Sequence, residues 1–383
     1  MNRKNQFFPS IVFHPGETLA EKLDELNMGR NEFAIRTDKP EKTILAVIKG
    51  ESSITTDMAV RFEHVLKIPA YFWLKRQTDF DEYIIRERRR TELKKTIEWA
   101  MRFPLSSMIK NQWIPDCVNK VEKTGALLDF FGLSNHIAWE KFYLQQASAS
   151  NFRLSLASAK DPYAISAWLR RGELQSQNLP AKTYSAETFK SILPAIKKLM
   201  CEEPPHYFKK LQELCSLAGV KLVYTSCLPK LTDCGSIRWY KGNPLIQMTS
   251  RYRRNDSFWF SFFHEAGHVL LHNKYDIFLE NVEYASKAPE KEKEADDFAI
   301  KWTLSKAQEK ETIVSYLQSH SLAETVEVYS KKFETNPAMI VGRLQHIGVI
   351  GNEVGCQYIS VVELEDDFNA TCLTCPEIPL PIV

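Results

Sequence analysis

The stretch from Ser257 to His272, SFWFSFFHEAGHVLLH, constrains this chain more than any other. It predicts a helix that is apolar nearly all round, and such a helix must be buried. Within it stand His264, Glu265 and His268. Residues four apart on a helix share a face, so both imidazoles point the same way. Polar groups left unpaired in a core are costly, and coordination of a metal would satisfy them. Two His at this spacing supply half of a tetrahedral zinc site, and the Glu between them is placed to act on a metal-bound water. An H-E-x-x-H match also arises by chance in unrelated chains. The apolar helical setting and a third ligand downstream give this one its weight.

That third ligand should come from a later helix facing the first. The segment KAPEKEKEADDFAIKW, ending at Trp302, carries Glu292 and Asp296 four residues apart. This spacing suits a Glu that binds metal and an Asp that holds a ligand imidazole from behind. Glu294 is the competing ligand; it lies about 200° round the helix from Glu292, so only one of the two can face the metal. Ala295 and Ala299 share the face of Glu292 and Asp296 and would let the two helices approach closely, which favours Glu292.

Composition narrows the surroundings. Fifty Lys and Arg stand against 48 Asp and Glu, a net charge of +2, so no global field favours nucleic acid or membrane. No apolar run approaches the ~18 residues of a membrane span. The N-terminus has no signal-peptide core, so a cytoplasmic location is expected, with the eight Cys as reduced thiols.

Residues 14 to 83 predict five short helices: Glu17 to Asn27, Arg30 to Thr37, Pro40 to Lys49, one capped by Thr55 or Thr56, and one opened by Pro69. Short helix, tight turn, short helix is the helix-turn-helix pattern, whose second member enters the major groove. The expected reading face carries Lys39, Lys42, Thr43 and Lys49, together with Glu41, Leu45 and Ala46. Residues 1 to 83 hold 12 Lys and Arg against 13 Asp and Glu, whereas phosphate contact usually needs a basic face. A basic run from Arg86 to Lys95 follows directly. DNA contact and recognition of a protein partner or a second copy therefore both stand as roles for this unit.

Residues 84 to 218 predict helices throughout, Thr91 to Ile109 among them, with no chemical constellation. From Gly219 the periodicity becomes two: Val220 to Tyr224 predicts a strand, and Ser236 to Trp239 with Leu245 to Met248 predicts a hairpin around Lys241-Gly242. Gln357 to Leu364 predicts a further strand. Cys372 and Cys375 form one C-x-x-C without a second pair, which is weak evidence for metal. The fold class expected is mainly α with a small β-sheet.

Two resemblances attach to these residues. HPGE at His14 to Glu17, KTILAVIKGE at Lys42 to Glu51, Ile54-Thr55 and IPAYFWL at Ile68 to Leu74 resemble the HigA-type (XRE-like) helix-turn-helix antitoxins and repressors. RYRRNDSFWFSFFHEAGHVLLH, EKEADDFAIKW and IVGRLQHIG resemble the ImmA/IrrE family of zinc metallopeptidases. The parts implied are a helix-turn-helix domain over 1–83, a helical scaffold over 84–218, a zincin-like peptidase over 219–351 and an extension over 352–383. The second resemblance implies that His264, His268 and Glu292 bind Zn2+, that Asp296 supports a ligand, and that Glu265 is the general base, moving a proton from the metal-bound water to the leaving amine. His272, Tyr275, Arg251 and His346 are candidates to assist at the oxyanion. Family members cut specific repressors or antitoxins, so limited cleavage of one regulatory protein, in toxin–antitoxin or phage-response control, is the expected function. The alternative is a non-catalytic helix-turn-helix repressor or antitoxin whose zinc is structural. Expected partners are the protein substrate, an operator DNA and a second copy of the chain.

Overall fold

The computed structural model describes residues 12–145, 161–229, 235–249, 254–273, 278–279, 289–362 and 364. The chain is mainly helical with one small sheet. It divides into two compact units. One holds the described residues of Met1–Glu98 and Cys117–Gly125, the other those of Trp99–Asp116 and Ala126–Leu373.

The first unit opens with α1 (Pro15–Glu25), α2 (Arg30–Arg36), α3 (Glu41–Ile48) and α4 (Thr56–Leu66). Their apolar positions, Leu19, Leu23, Phe33, Ile44, Val47, Met58 and Phe62, meet in one core closed by Trp73. Thr55 caps α4 by accepting from the backbone N–H of Met58. Gly16 sits against α3 so closely that a Cβ there would lie 1.9 Å from the carbonyl oxygen of Val47, which excludes any other residue without backbone movement.

His14 caps α1 with an acceptor rather than a donor. Its Nδ1 accepts from the backbone N–H of Gly16 at 3.0 Å, and its ring lies edge-on to Phe80. Burial lowers its pKa, although Asp81 and Glu17 pull the other way. A His held neutral by the fold contributes stability that is full above its unfolded pKa of about 6.5 and is lost as pH falls through the lower folded value. Denaturant titrations of the parent and of His14→Asn, an N-cap that does not titrate, should therefore diverge between pH 7 and pH 5. The parent should lose more stability; parallel curves would remove this role from His14.

The fifth helix differs from expectation. Instead of a short helix followed by a separate one over Thr91 to Ile109, α5 runs unbroken from Ala70 to Ala100. No Gly or Pro lies in that span, so nothing stops it. It ends just before Pro104, which disfavours helical backbone at the residue preceding it, and α6 (Leu105–Lys110) follows. The run Arg86 to Lys95 lies on α5, with Arg86 paired to Glu82.

α7 (Lys120–Phe131) belongs to the first unit up to Gly125 and to the second from Ala126; α8 (His136–Glu140) and, after the residues that are not described, α9 (Pro162–Gln177), α10 (Ala186–Glu202) and α11 (Tyr207–Leu217) follow in the second unit. The strands are β1 (Lys221–Tyr224), β2 (Gly235–Tyr240), β3 (Asn243–Met248) and β4 (Phe278–Leu279), in the order β1-β3-β2-β4. β1 runs parallel to β3, and the other pairs are antiparallel. Lys241 and Gly242 both have positive φ, 51° and 89°, as a two-residue primed hairpin turn requires. The edge strand β4 was not foreseen; only two residues of it pair with β2.

α9 is fastened to the sheet by buried polar groups. The Gln247 amide donates to the carbonyl of Trp168 and to Thr225 Oγ1, and that of Gln175 donates to the carbonyl of Tyr224. The guanidinium of Arg238, 4% exposed, donates to the carbonyl of Leu169 at 2.7 Å and to Ser236 Oγ. The region without a chemical constellation is thus one wall of the sheet.

The remaining helices are α12 (Asn255–Leu271), α13 (Pro289–Thr303), α14 (Lys306–Ser319), α15 (Leu322–Phe333) and α16 (Pro337–His346). Instead of the strand expected over Gln357 to Leu364, Gly355 at φ 86° opens a 3-10 turn at Cys356–Tyr358, and among the described residues pairing is confined to a bridge between Val361 and Arg254. The partner strand there is only the residue that caps α12. Cys117 is disulfide-bonded, against the expectation that every thiol is reduced, while Cys201, Cys215, Cys227 and Cys356 are free. Cys372 and Cys375 lie outside the described residues. Among the described residues no helix is long and apolar enough to cross a membrane.

Candidate functional site

The helix α12 is buried on nearly every face. Phe258, Trp259, Phe262, Phe263, Ala266 and Val269 enter the core that also takes Leu222, Ile237, Ile246 and Met248 from the sheet. Each large side chain so buried contributes about 1.5–3 kcal/mol, which holds His264, Glu265 and His268 at 4%, 0% and 3% exposure. The N-terminus of the helix is fixed by a carboxylate. Glu203, at φ 36° past the end of α10, accepts from Trp259 Nε1 at 2.7 Å and from the Asn255 amide at 3.0 Å. Ser360 exchanges backbone and side-chain hydrogen bonds with Asn255, and its hydroxyl also reaches Glu203.

α13 packs directly on α12. A Cβ added at Gly267 would lie 3.2 Å from Ala295 Cα, and Ala295 and Ala299 are fully buried. Small residues on both helices bring their backbones together: Ala295 and Ala299, as the spacing argument expected, and Gly267 opposite them. His264, His268 and Glu292 thereby offer three ligand atoms within 4.8 Å of one another. His264 Nε2 and His268 Nε2 are 3.0 Å apart, and Glu292 Oε2 lies 3.5 Å and 4.0 Å from them. Zinc–ligand distances of about 2.0–2.1 Å set tetrahedral ligand pairs about 3.3–3.5 Å apart, a value these three separations bracket.

The hydrogen bonds behind the rings decide what the three atoms present. Asp296 Oδ1 lies 2.9 Å from His264 Nδ1. An ionised carboxylate only accepts, so Nδ1 of the neutral ring carries the proton and Nε2 a lone pair. His272 Nε2 lies 3.0 Å from Glu294 Oε2, and His272 Nδ1 lies 2.8 Å from His268 Nδ1. By the same rule His272 donates from Nε2 and accepts at Nδ1, and His268 donates from Nδ1. Its Nε2 is then a lone pair as well. Two lone pairs and a carboxylate converge in a core, and Glu292 Oε1 is buried with no hydrogen-bond partner among the described residues. Such a cluster calls for positive charge at its centre, and its donor set is that of a zinc site with one position left for water. The residues present fit the metal.

Of the competing acids, Glu292 faces the cluster, and Glu294 is turned away to His272. Both ring nitrogens of His272 are thereby engaged, leaving none for an oxyanion. His346 is exposed at the last residue of α16; Arg251 and Tyr275 lie outside the described residues. Sequence reasoning missed the Glu203 carboxylate and the His272–Glu294 contact.

In the first unit, α3 buries Ile44 and Val47 and exposes Glu41, Lys42 and Lys49, while Thr43, Leu45 and Ala46 are half-buried. Lys39 is committed to Asp57 at 2.5 Å, where Arg61 also pairs. Lys42 and Lys49 are therefore the two lysines of the expected reading face that extend into solvent.

No family model matches the chain. Its N-terminal region is similar to the HTH-type transcriptional regulator YddM of Escherichia coli K12, itself uncharacterised, at 32% identity over 63 residues, 16% of this chain and 67% of that protein. The chain belongs to the HTH-type transcriptional regulators. The membership is carried by the N-terminal region alone and says nothing of His264, His268 or Glu292. Two solved structures are also similar at 32% identity: a chain described as an antidote protein of a plasmid maintenance system from Nostoc punctiforme (22% of this chain, 93% of that one, TM-score 0.22) and a HigA-family addiction-module antidote from Coxiella burnetii (22% and 91%, TM-score 0.21). In helix-turn-helix folds the second of the paired helices presents side chains to DNA; α2 and α3 are the helices in that arrangement here.

Proposed function

We propose that this HTH-type regulator carries a zinc-dependent endopeptidase site that makes limited cuts in a regulatory protein, a repressor or antitoxin. The observation that carries the reading is the convergence of two imidazole lone pairs and the Glu292 carboxylate within a buried helix pair. His264, His268 and Glu292 would hold the zinc, with Asp296 fixing the His264 ring. Bound there, zinc would act as a Lewis acid on the scissile carbonyl and lower the pKa of a water. Glu265, next to His264 on the same helix, takes a proton from the attacking water on its carboxylate and delivers it to the leaving amine. Metal analysis of protein purified without added zinc tests the site: about one zinc per chain is expected, and its absence from His264→Ala and His268→Ala. Parent protein that takes up no zinc would end the reading.

The regulator's first unit supports operator DNA as a further partner, with Lys42 and Lys49 contacting phosphates. Binding to DNA upstream of its own gene should weaken with salt. Replacing either lysine by Ala should flatten the log–log salt slope by about 1, one phosphate contact. A slope unchanged in both variants would remove α3 from the DNA interface.

A further inference from the structure

His272 and Glu294 belong to none of the roles above. His272, the extended residue that caps the C-terminus of α12, stands four residues after His268, and Glu294 two after Glu292 on α13. The His272 side chain is 3% exposed, that of Glu294 61%. They form a chain of contacts from the surface to a metal-site ring: Glu294 Oε2 to His272 Nε2 at 3.0 Å, and His272 Nδ1 to His268 Nδ1 at 2.8 Å.

A ligand imidazole can use Nε2 only if its proton is on Nδ1, and the group behind the ring decides that. Behind His264 it is a carboxylate directly, Asp296. Behind His268 it is another imidazole, which accepts at one nitrogen only while it donates from the other. The direction of that contact is therefore not set by His272 itself. It is set one residue further out, by a group that accepts and never donates.

We infer that His272 and Glu294 are positioning residues for His268, a relay in which an exposed carboxylate on α13 fixes the tautomer of a buried ligand on α12. The inference rests on the metal reading above. It has a consequence that simple packing lacks. Replacing Glu294 by a group that still accepts should be tolerated. Replacing it by a pure donor should reverse both protons in the relay: His272 then accepts at Nε2 and donates from Nδ1, His268 accepts at Nδ1, and the His268 proton moves to Nε2, where it blocks coordination.

The experiment compares the full-length parent with Glu294→Gln, Glu294→Lys and His272→Phe, with Asp297→Lys as a control for charge reversal on the same helix face (Asp297 pairs with Lys306 at 2.7 Å). Zinc affinity is read by chelator competition. Tautomers are read on metal-free protein by nitrogen NMR of labelled histidines, and circular dichroism checks folding. Expected are an affinity for Glu294→Gln within about 3-fold of the parent and losses of about 10–100-fold for Glu294→Lys and His272→Phe. Asp297→Lys should stay near the parent, and His268 should shift from the Nδ1–H to the Nε2–H form in Glu294→Lys. If the parent binds zinc and all variants match it, or if metal-free parent holds His268 as Nε2–H, the relay is overturned while the metal site stands. A parent that binds no zinc overturns both.

Discussion

Glu265→Gln is expected to keep its zinc and lose its cleavage. The substitution preserves the shape of a side chain that is fully buried beside His264 but removes the carboxylate proposed to move the proton. General acid–base contributions of this kind are worth about 10²–10⁴-fold in rate, so product formation should fall below detection. His264→Ala should lose both metal and cleavage, which separates the base from the ligand. Under the proposed reading the substrate is a regulatory protein, so the readout is the set of new protein N-termini in cells making the parent and absent from cells making Glu265→Gln. A short set is expected, as limited cutting requires. Identical N-termini in the two strains, with zinc retained in both proteins, would leave the metal a structural part of a transcriptional regulator.

The second large effect concerns where the site can be cut from the rest. A chain spanning residues 219 to 351 carries every proposed ligand, yet it should fail to fold. Its sheet would lose α9, leaving the amide of Gln247 and the guanidinium of Arg238 without Trp168 and Leu169 carbonyls. Each hydrogen bond so lost is worth about 0.5–1.5 kcal/mol net, more where a charged group donates, and the sheet face that α9 covered would meet water. Domains are stable by only about 5–15 kcal/mol, so losses of this kind consume much of it. The same chain also lacks Phe189, Leu193, Ile196 and Leu211 from the shared core. A chain spanning 99 to 364, which keeps the described second unit whole, should fold cooperatively; a cooperative melt of the shorter one would refute the argument.

The clustering of His264, His268 and Glu292 was legible in the sequence because it depends on local geometry. Helical spacing alone puts His264 with His268 and Glu292 with Asp296, and Gly267, Ala295 and Ala299 announce a close helix pair. The hairpin was legible for the same reason, through Lys241-Gly242. The extent of α5 was obscured by a change in composition near residue 84, whereas a helix stops for backbone reasons, here Pro104. The His272–Glu294 contact depends on how α13 is rotated against α12 across 22 residues, which no local pattern encodes. The wall formed by α9 was hidden because its contacts run through backbone carbonyls, which every sequence has.

The carboxylate of Glu203 joins Asn255 and Ser360, pairs separated by 52, 105 and 157 positions in the chain. Contacts of that span carry the largest loop-closure cost and form late. During synthesis, the start of α12 therefore cannot be closed until residue 360 has left the ribosome. By then the core of the first unit, whose residues run only from Leu19 to Trp73, has had more than two hundred residues' worth of translation in which to fold. The regulator's head is ready before α12 is fastened.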